Sequence, residues 1–119
     1  MAEAMLKNKN TLYANQVTVR TTDAAGKTVR SRVDMVLHDT STGRMQFIEF
    51  KTGNAQLTKN QAVVQNVVNN GGSVELRSNS RAERLKLNHS DLMKGDYHVF
   101  RLDTDRGLED FASLLMKMN

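Results

Sequence analysis

Two carboxylates and one lysine lie on two segments that the sequence predicts to be neighbouring strands. In "RMQFIEFKT", Glu49 and Lys51 are two residues apart, so their side chains point to the same face of an extended strand. The preceding strand-like segment, "TVRSRVDMVLHD", carries Asp34, and "TSTG" between the two segments predicts a turn. A hairpin centred near Ser41 places Asp34 roughly opposite Glu49, with their β-carbons about 5 Å apart.

Two carboxylates at that separation repel each other and favour a bound cation. Hard divalent ions such as Mg²⁺ or Mn²⁺ bind carboxylate and backbone carbonyl oxygens and share the phosphate of a substrate. We therefore predict metal ligation by Asp34, Glu49 and the carbonyl of Phe50. Lys51 would orient or deprotonate the attacking water, or neutralise charge on the phosphate. Gln61, farther along the chain, could hold a water or the phosphate.

The same residues also have a purely structural interpretation. A glutamate and a lysine two apart on a strand are commonly a solvated face, and Asp34 could simply pair with Arg32 or Lys51. Gln61 follows Thr58 by three residues, which is the signature of a helix capping box. Spacing alone leaves both interpretations open.

The elements that must position these residues follow from apolar periodicity and turn residues. On the second strand, Arg30, Arg32 and Asp34 are expected on one face, and Val29, Val33, Met35 and Leu37 on the other. We predict an α/β fold with a mixed central sheet flanked by helices. The first elements are a helix over 1–12, an antiparallel meander over 15–22, 28–39 and 44–52, and a helix from Thr58 to Gly71. A buried strand near 73–78, joined parallel to the sheet, an irregular stretch over 78–95 and a last strand near 96–103 follow. The chain then forms a C-terminal helix with Leu108, Phe111, Leu115 and Met118 inward.

Composition indicates one domain spanning residues 1–119, with no cysteine for disulfides or thiolate metal sites. No apolar run approaches the roughly 18 residues of a membrane span, and the N-terminus has no apolar signal core. The net charge of +4 and pI near 9.6 are compatible with a polyanionic partner. The densest basic cluster lies at 77–86. A solvated irregular loop explains this cluster about as well as a role in binding phosphate does. The predicted nucleic-acid contacts are Arg30, Arg32, Arg77, Arg81, Arg84 and Lys86.

Residues 30–61, "RSRVDMVLHDTSTGRMQFIEFKTGNAQLTKNQ", resemble the core of the PD-(D/E)xK, restriction-endonuclease-like superfamily. They are most similar to the nuclease toxin domains at the C-termini of Rhs and contact-dependent growth inhibition proteins. Val33 stands where a proline often precedes the first aspartate, and only Glu3 could supply the metal-binding glutamate that many members carry on the first helix. The positions that match the family pattern are Arg32, Asp34, Glu49, Lys51, Gly53, Leu57, Thr58 and Gln61.

The resemblance implies an αβββαβ core and a Mg²⁺-dependent endonuclease that hydrolyses phosphodiester bonds by in-line attack of a metal-activated water. It also implies a toxin made as the end of a secreted parent protein, delivered into the cytoplasm of a neighbouring bacterium and neutralised at home by a cognate immunity protein. DNA is the favoured substrate, and tRNA is the alternative. A non-catalytic nucleic-acid-binding module on the same fold is the competing hypothesis from another functional class.

Overall fold

A mixed six-stranded sheet forms the centre of the molecule, with helices on both faces. The computed structural model describes residues 10–118 of the 119-residue chain. The sheet order is β5-β4-β1-β2-β3-β6, and β3 and β6 are the parallel pair. The elements are β1 (Thr11–Thr22), β2 (Thr28–Asp39), β3 (Met45–Lys51), α1 (Lys59–Asn69), β4 (Val74–Leu76), α2 (Asn79–Arg84), β5 (Leu92–Met93), β6 (Gly95–Arg101) and α3 (Asp105–Lys117).

The first three strands form the predicted antiparallel meander. At the first turn, the Asp23 carboxylate accepts hydrogen bonds from the backbone N–H groups of Ala25 and Lys27, each at 2.9 Å, and Gly26 has a φ of +83°. At the second turn, Met35 lies opposite Ile48, which confirms the predicted hairpin centre. The turn chemistry therefore sets the register that brings β2 and β3 together at the candidate site.

The sheet has two separate hydrophobic layers. Helices α1 and α2 cover one face, where Val64, Val68 and Leu85 pack on Phe47 and Val17. Helix α3 covers part of the other face. The core under α3 consists of Met35, Leu37, Ile48, Phe100, Phe111 and Leu115.

The side-chain alternation of β2 breaks at Asp34, which corrects the predicted faces. Val33 packs in the layer under α1, whereas Met35 and Leu37 pack under α3, so Val33 does not share a face with them. On β1, Gln16 lies between the residues that pair with Val33 and Met35, level with Asp34. Its φ is +54°. This left-handed residue interrupts the regular pleat, so the strand changes sides where the candidate site begins.

Two predictions about the chain order need correction. The helix predicted over 1–12 lies mostly outside the described residues, as does Glu3, and Thr11 already belongs to β1. β4 is antiparallel to β1, not parallel, because the chain leaves α1 toward the far edge of the sheet. The parallel position beside β3 is taken by β6.

Local packing explains two further differences. The stretch predicted as irregular over 78–95 contains α2 and β5. On α3, Phe111 and Leu115 are buried as predicted and Met118 packs beside them, but Leu108 is 41% exposed. Gly107 approaches the Arg101 carbonyl so closely that a Cβ would lie 1.9 Å from it. Gly107, Phe111 and Leu115 therefore form the inward stripe, which turns Leu108 outward. No helix within residues 10–118 is long and apolar enough to span a membrane.

Asn69 covers the outer edge of β6. Its Nδ2 donates to the Tyr97 carbonyl at 3.3 Å, and its Oδ1 accepts from the Tyr97 N–H at 2.9 Å. We expect Asn69→Ala to lower the free energy of unfolding by about 1 kcal/mol, because both backbone groups lose this side-chain partner. Chemical denaturation measures the change, with the exposed loop residue Asn54 changed to Ala as the control. Equal stability of the two variants would contradict this role.

Candidate active site

Asp34 and Glu49 are interlocked where β2 and β3 separate. Met35 and Ile48 are the last paired residues of β2 and β3 before the site. Asp34 and Glu49 are the next residues on the two strands. Glu49 Oε1 accepts from the Asp34 N–H at 2.9 Å, and Asp34 Oδ2 accepts from the Phe50 N–H at 2.8 Å. Each carboxylate thus satisfies the backbone of the opposite strand at the point where the strands diverge.

Gln61 joins the start of α1 to this pair. Its Nε2 donates to Glu49 Oε2 at 2.8 Å, while its Oε1 accepts from the Thr58 N–H at 2.9 Å. Thr58 Oγ1 accepts from the Gln61 N–H at 3.2 Å, which completes the capping box. One amide therefore caps α1, as predicted, and also contacts the Glu49 carboxylate, which the sequence did not predict.

Glu49 is held in an environment that disfavours its charge. The residue is 1% exposed, and burial together with the nearby Asp34 charge raises the pKa of Glu49 to about 7. The Asp34 N–H and the Lys51 charge act in the opposite direction but do not outweigh burial. Burial also raises the pKa of Tyr97, and the charges of the two carboxylates raise it further, so the phenol stays neutral. At neutral pH Glu49 therefore carries a proton for part of the time.

Lys51 is the last residue of β3. It lies near enough to the carboxylates for its positive charge to lower the pKa of Glu49. Its carbonyl accepts from the Leu102 N–H at 3.2 Å. Arg101, its register partner on β6, holds the following loop by donating to the carbonyls of Gly53 and Ala55 at 3.1 and 2.8 Å. The residues after Lys51 are thus tied to β6, which limits how far the lysine backbone can move.

Phe50 contributes its backbone N–H and carbonyl at the point where β2 and β3 separate. Its ring packs edge-on against Phe111, with centroids 5.1 Å apart, and this anchors the strand from the α3 side. The N–H and C=O of one strand residue point toward the same neighbouring strand. The Phe50 carbonyl therefore faces the side on which its N–H meets Asp34.

The donor set fits a hard divalent cation with few protein ligands. Within residues 10–118, no group of three or more His, Cys, Asp or Glu side chains is arranged to hold a metal ion. Mg²⁺, however, commonly uses one or two carboxylates and completes its shell with waters and phosphate. Asp34, Glu49 and the Phe50 carbonyl are the oxygen groups that would form such a set; the pKa of Glu49 is raised first by burial and then by the nearby Asp34 charge.

The predicted basic residues fall into two neighbouring groups. Arg30 and Arg32 are exposed on β2, and Arg77 follows β4, where it donates to Glu75 at 2.9 Å. Arg81 and Arg84 line a cavity of about 350 Å³ beside Tyr13, over whose ring the Arg84 guanidinium lies at 5.6 Å. Lys86 is exposed after α2.

Sequence reasoning missed Arg20. The register of the first hairpin places Arg20 directly opposite Arg30, and Arg20 Nη2 donates to Glu75 at 2.7 Å. The position of the turn around Gly26 predicts this pair, because counting residues outward from the turn along β1 and β2 brings Arg20 opposite Arg30. Arg101 was missed as well, and no pattern in the sequence indicates its contacts with the loop after Lys51.

The two roles of Gln61 can be separated experimentally. Thr58→Ala removes the cap side chain and is expected to lower the free energy of unfolding by about 1 kcal/mol without affecting Glu49. Gln61→Ala removes the cap and the Glu49 contact together. We expect a loss of stability in both variants by thermal melting, larger in Gln61→Ala because buried Glu49 Oε2 also loses its donor. If the site hydrolyses nucleic acid with Mg²⁺, only Gln61→Ala should lose that activity. Full activity in Gln61→Ala would reduce this residue to a cap.

Comparisons with known proteins yield no relatives. The chain matches no protein-family model, no curated protein and no solved structure. The functional interpretation therefore depends on the geometry of the residues themselves.

Proposed function

We propose that this chain is a metal-dependent endonuclease of the PD-(D/E)xK type. The observation that carries the proposal is the pairing of Asp34 with the buried Glu49, whose pKa is raised to about 7, beside Lys51 and Gln61. Buried carboxylates with strongly perturbed pKa values concentrate at functional sites. A purely structural strand pair would place uncharged residues there at lower cost.

The proposed αβββαβ core consists of the meander β1–β3, helix α1 and strand β6. Its first helix would fall outside the described residues. The segment β4–α2–β5 would then be an addition at the β1 edge of the sheet. Support comes from the order of these elements and from the parallel pairing of β6 with β3.

In this proposal Asp34, Glu49 and the Phe50 carbonyl hold Mg²⁺ or Mn²⁺. When bound, the ion supplies Lewis-acid stabilisation of the phosphate and lowers the pKa of a bound water. Glu49 would hold the ion in its deprotonated form, and Gln61, which donates to Glu49 Oε2, would keep that carboxylate oriented. Lys51 orients the attacking water or neutralises the charge that develops on the phosphate.

The proposed substrate is nucleic acid, with DNA favoured and tRNA the alternative. The proposed contacts to its backbone are Arg30, Arg32, Arg77, Arg81, Arg84 and Lys86. Their charge supports this role, as does the exposure of Arg30, Arg32, Arg84 and Lys86, whereas Arg77 and Arg81 are half-buried. The biological setting proposed with this activity is an interbacterial toxin. It would be delivered from a secreted parent protein into the target-cell cytoplasm and inhibited by a cognate immunity protein.

A non-catalytic nucleic-acid-binding module is the second candidate, and one observation favours it. The carboxylates of Asp34 and Glu49 already accept hydrogen bonds from two backbone N–H groups and from Gln61. In this alternative the constellation would only close the gap between β2 and β3. The arginines would then be the functional part of the molecule.

One assay separates the candidates. Purified protein is incubated with plasmid DNA and with total tRNA, in Mg²⁺, Mn²⁺ or EDTA. Cleavage that requires the metal supports the endonuclease, and the substrate that is cut identifies the class. Intact DNA and tRNA under every metal, with binding retained, would reject catalysis and support the module.

A further inference from the structure

Four arginines and one glutamate share a sheet face that points away from α1. Val17 and Val19, Val33, and Val74 and Leu76 are all buried in the layer under α1 and α2. Side chains alternate along a strand, so the residues between them project from the opposite side. We call this surface the arginine face. It consists of Arg20 on β1, Arg30 and Arg32 on β2, and Glu75 and Arg77 on or next to β4.

The arginine face is partly open: Arg20, Glu75 and Arg77 keep 33%, 22% and 24% of their side-chain surfaces accessible, and Ser90, just before β5, accepts from Arg77 Nη1 at 3.1 Å. Helix α3 covers the part of the sheet that contains Leu37, Ile48 and Phe100, and the recorded pairing of β2 with β3 extends only from Met35 to His38. The first half of β2 therefore runs beyond β3, and Arg30 and Arg32 are exposed. Arg32 is two residues from Asp34, about 6.8 Å along a strand. Glu49 alternates with Ile48 and contacts Gln61 of α1, so its side chain lies on the opposite side of the sheet, and the arginine face meets the candidate site only at Asp34, where the strand changes sides.

The charges on this face are unbalanced. Four arginines against one glutamate leave a net charge of +3. Arg20 and Arg30 are direct cross-strand neighbours, an arrangement that costs free energy when both side chains carry the same charge. Such a surface matches a polyanion that supplies the missing negative charge.

Glu75 is the internal counter-ion of the arginine face. Its Oε2 accepts from Arg20 Nη2 at 2.7 Å, and its Oε1 accepts from Arg77 Nη1 at 2.9 Å. The side-chain hydrogen bond from Arg20 is the largest cause that lowers the pKa of Glu75, and Arg77 adds to it. A carboxylate bridging two guanidinium groups uses the same donors that would bind a phosphate.

We propose that the arginine face binds the phosphodiester backbone of the nucleic acid proposed as the substrate, and that Glu75 competes with a phosphate for Arg20 and Arg77. The choice of ligand rests on the proposed function. None of the residues of this face is aromatic, so it offers no stacking platform for unpaired bases. Binding is therefore through phosphates, independent of base sequence and strongly dependent on salt.

The test is an anisotropy titration in EDTA, so that the outcome does not depend on catalysis. Labelled DNA and RNA duplexes of equal length are the two probes, and their relative affinities identify the sugar that the face prefers. Glu75→Gln is expected to tighten binding by about 3–10-fold and to steepen the salt dependence, because two arginines are released for phosphate contacts. Arg30→Gln combined with Arg32→Gln is expected to weaken binding by at least about 10-fold and to reduce the slope of log K against log salt by about 2.

The control is Glu109→Gln, which removes the same charge from an exposed position on α3. A general charge effect would tighten binding equally in Glu75→Gln and Glu109→Gln, and this result would overturn the proposal. So would unchanged binding in the double arginine variant, provided that circular dichroism shows it folded. Binding is measured in EDTA and cleavage in Mg²⁺, so the two proposals can fail separately. A protein that binds more tightly as Glu75→Gln but never cleaves would contradict the endonuclease proposal and support the arginine face.

Discussion

Lys51→Met is expected to lower Mg²⁺-dependent cleavage by about 10²–10⁴-fold while leaving the fold intact. Methionine keeps much of the length and apolar volume of the side chain but has no charge. The loop that follows is held by Arg101 and by the Leu102 N–H, and these contacts do not involve the lysine amine. The positive charge near Glu49 would be lost, and with it the group that acts on the water or the phosphate.

Lys59→Met is the matched control for this variant. Lys59 is an exposed lysine in the first turn of α1, close in sequence to the site but without a proposed role in chemistry. Initial rates of plasmid or tRNA cleavage at saturating Mg²⁺ measure both variants, and melting temperatures verify that both are folded. Equal rates in the two variants would remove Lys51 from the mechanism.

Glu49 is expected to make the metal-free protein less stable as the pH rises from about 4.5 to about 7. Its pKa is higher in the folded protein, at about 7, than the ordinary value of 4.5, so the folded state retains the proton that the unfolded state has released. The favourable contribution is complete below pH 4.5 and is lost as the pH rises through 7. A difference of this size corresponds to about 3 kcal/mol, which is a large fraction of the stability of a small domain.

Glu49→Gln isolates this effect, because glutamine does not titrate. The Asp34 N–H and Gln61 Nε2 donate to different oxygens of Glu49, and a glutamine has only one acceptor oxygen, so one of the two hydrogen bonds is lost. We therefore expect a loss of about 1 kcal/mol that is the same at every pH. The difference in the free energy of unfolding between wild type and Glu49→Gln should therefore change with pH, and Glu109→Gln should show no such change relative to wild type. Urea denaturation from pH 5 to pH 8.5 in EDTA measures the free energy of unfolding of each protein. Parallel curves for wild type and Glu49→Gln would show that Glu49 does not titrate in this range.

Mg²⁺ should reverse the loss of stability at high pH. In the proposed site the ion would bind the deprotonated pair, so binding would release a proton and become tighter as the pH rises. Saturating Mg²⁺ is expected to raise the melting temperature of the wild type more at pH 8 than at pH 5.5. The Glu49→Gln variant should lose most of this response. A response to Mg²⁺ that is independent of pH would place the ion elsewhere on the protein.

Local sequence features determined the elements around the site. Apolar alternation and the turns at Gly26 and near Ser41 predict the three-stranded meander, and the Thr58–Gln61 pair predicts the start of α1. These signals are local, because each depends on residues a few positions apart whose backbone geometry is restricted in any fold. The position of Asp34 opposite Glu49 follows from the same hairpin count.

Other features depended on contacts between distant residues. β4 was predicted to join the sheet in parallel but pairs antiparallel with β1, and β6 takes the place beside β3. The side-chain alternation fails at Asp34 because Gln16, on another strand, leaves the regular pleat. A pattern within one segment carries no information about either event, since both depend on which strand lies alongside.

The amino-acid sequence by itself determined which residues bear the candidate chemistry, namely Asp34, Glu49, Lys51 and Gln61, and the hairpin that aligns the first two. Only the tertiary structure decided that Glu49 is buried, that the Gln61 amide reaches it across two elements, and that Arg20 joins Arg30 and Arg32 on one face. The physical reason is that residue type and turn geometry act over a few positions, whereas desolvation and charge pairing arise when separate strands and helices pack together.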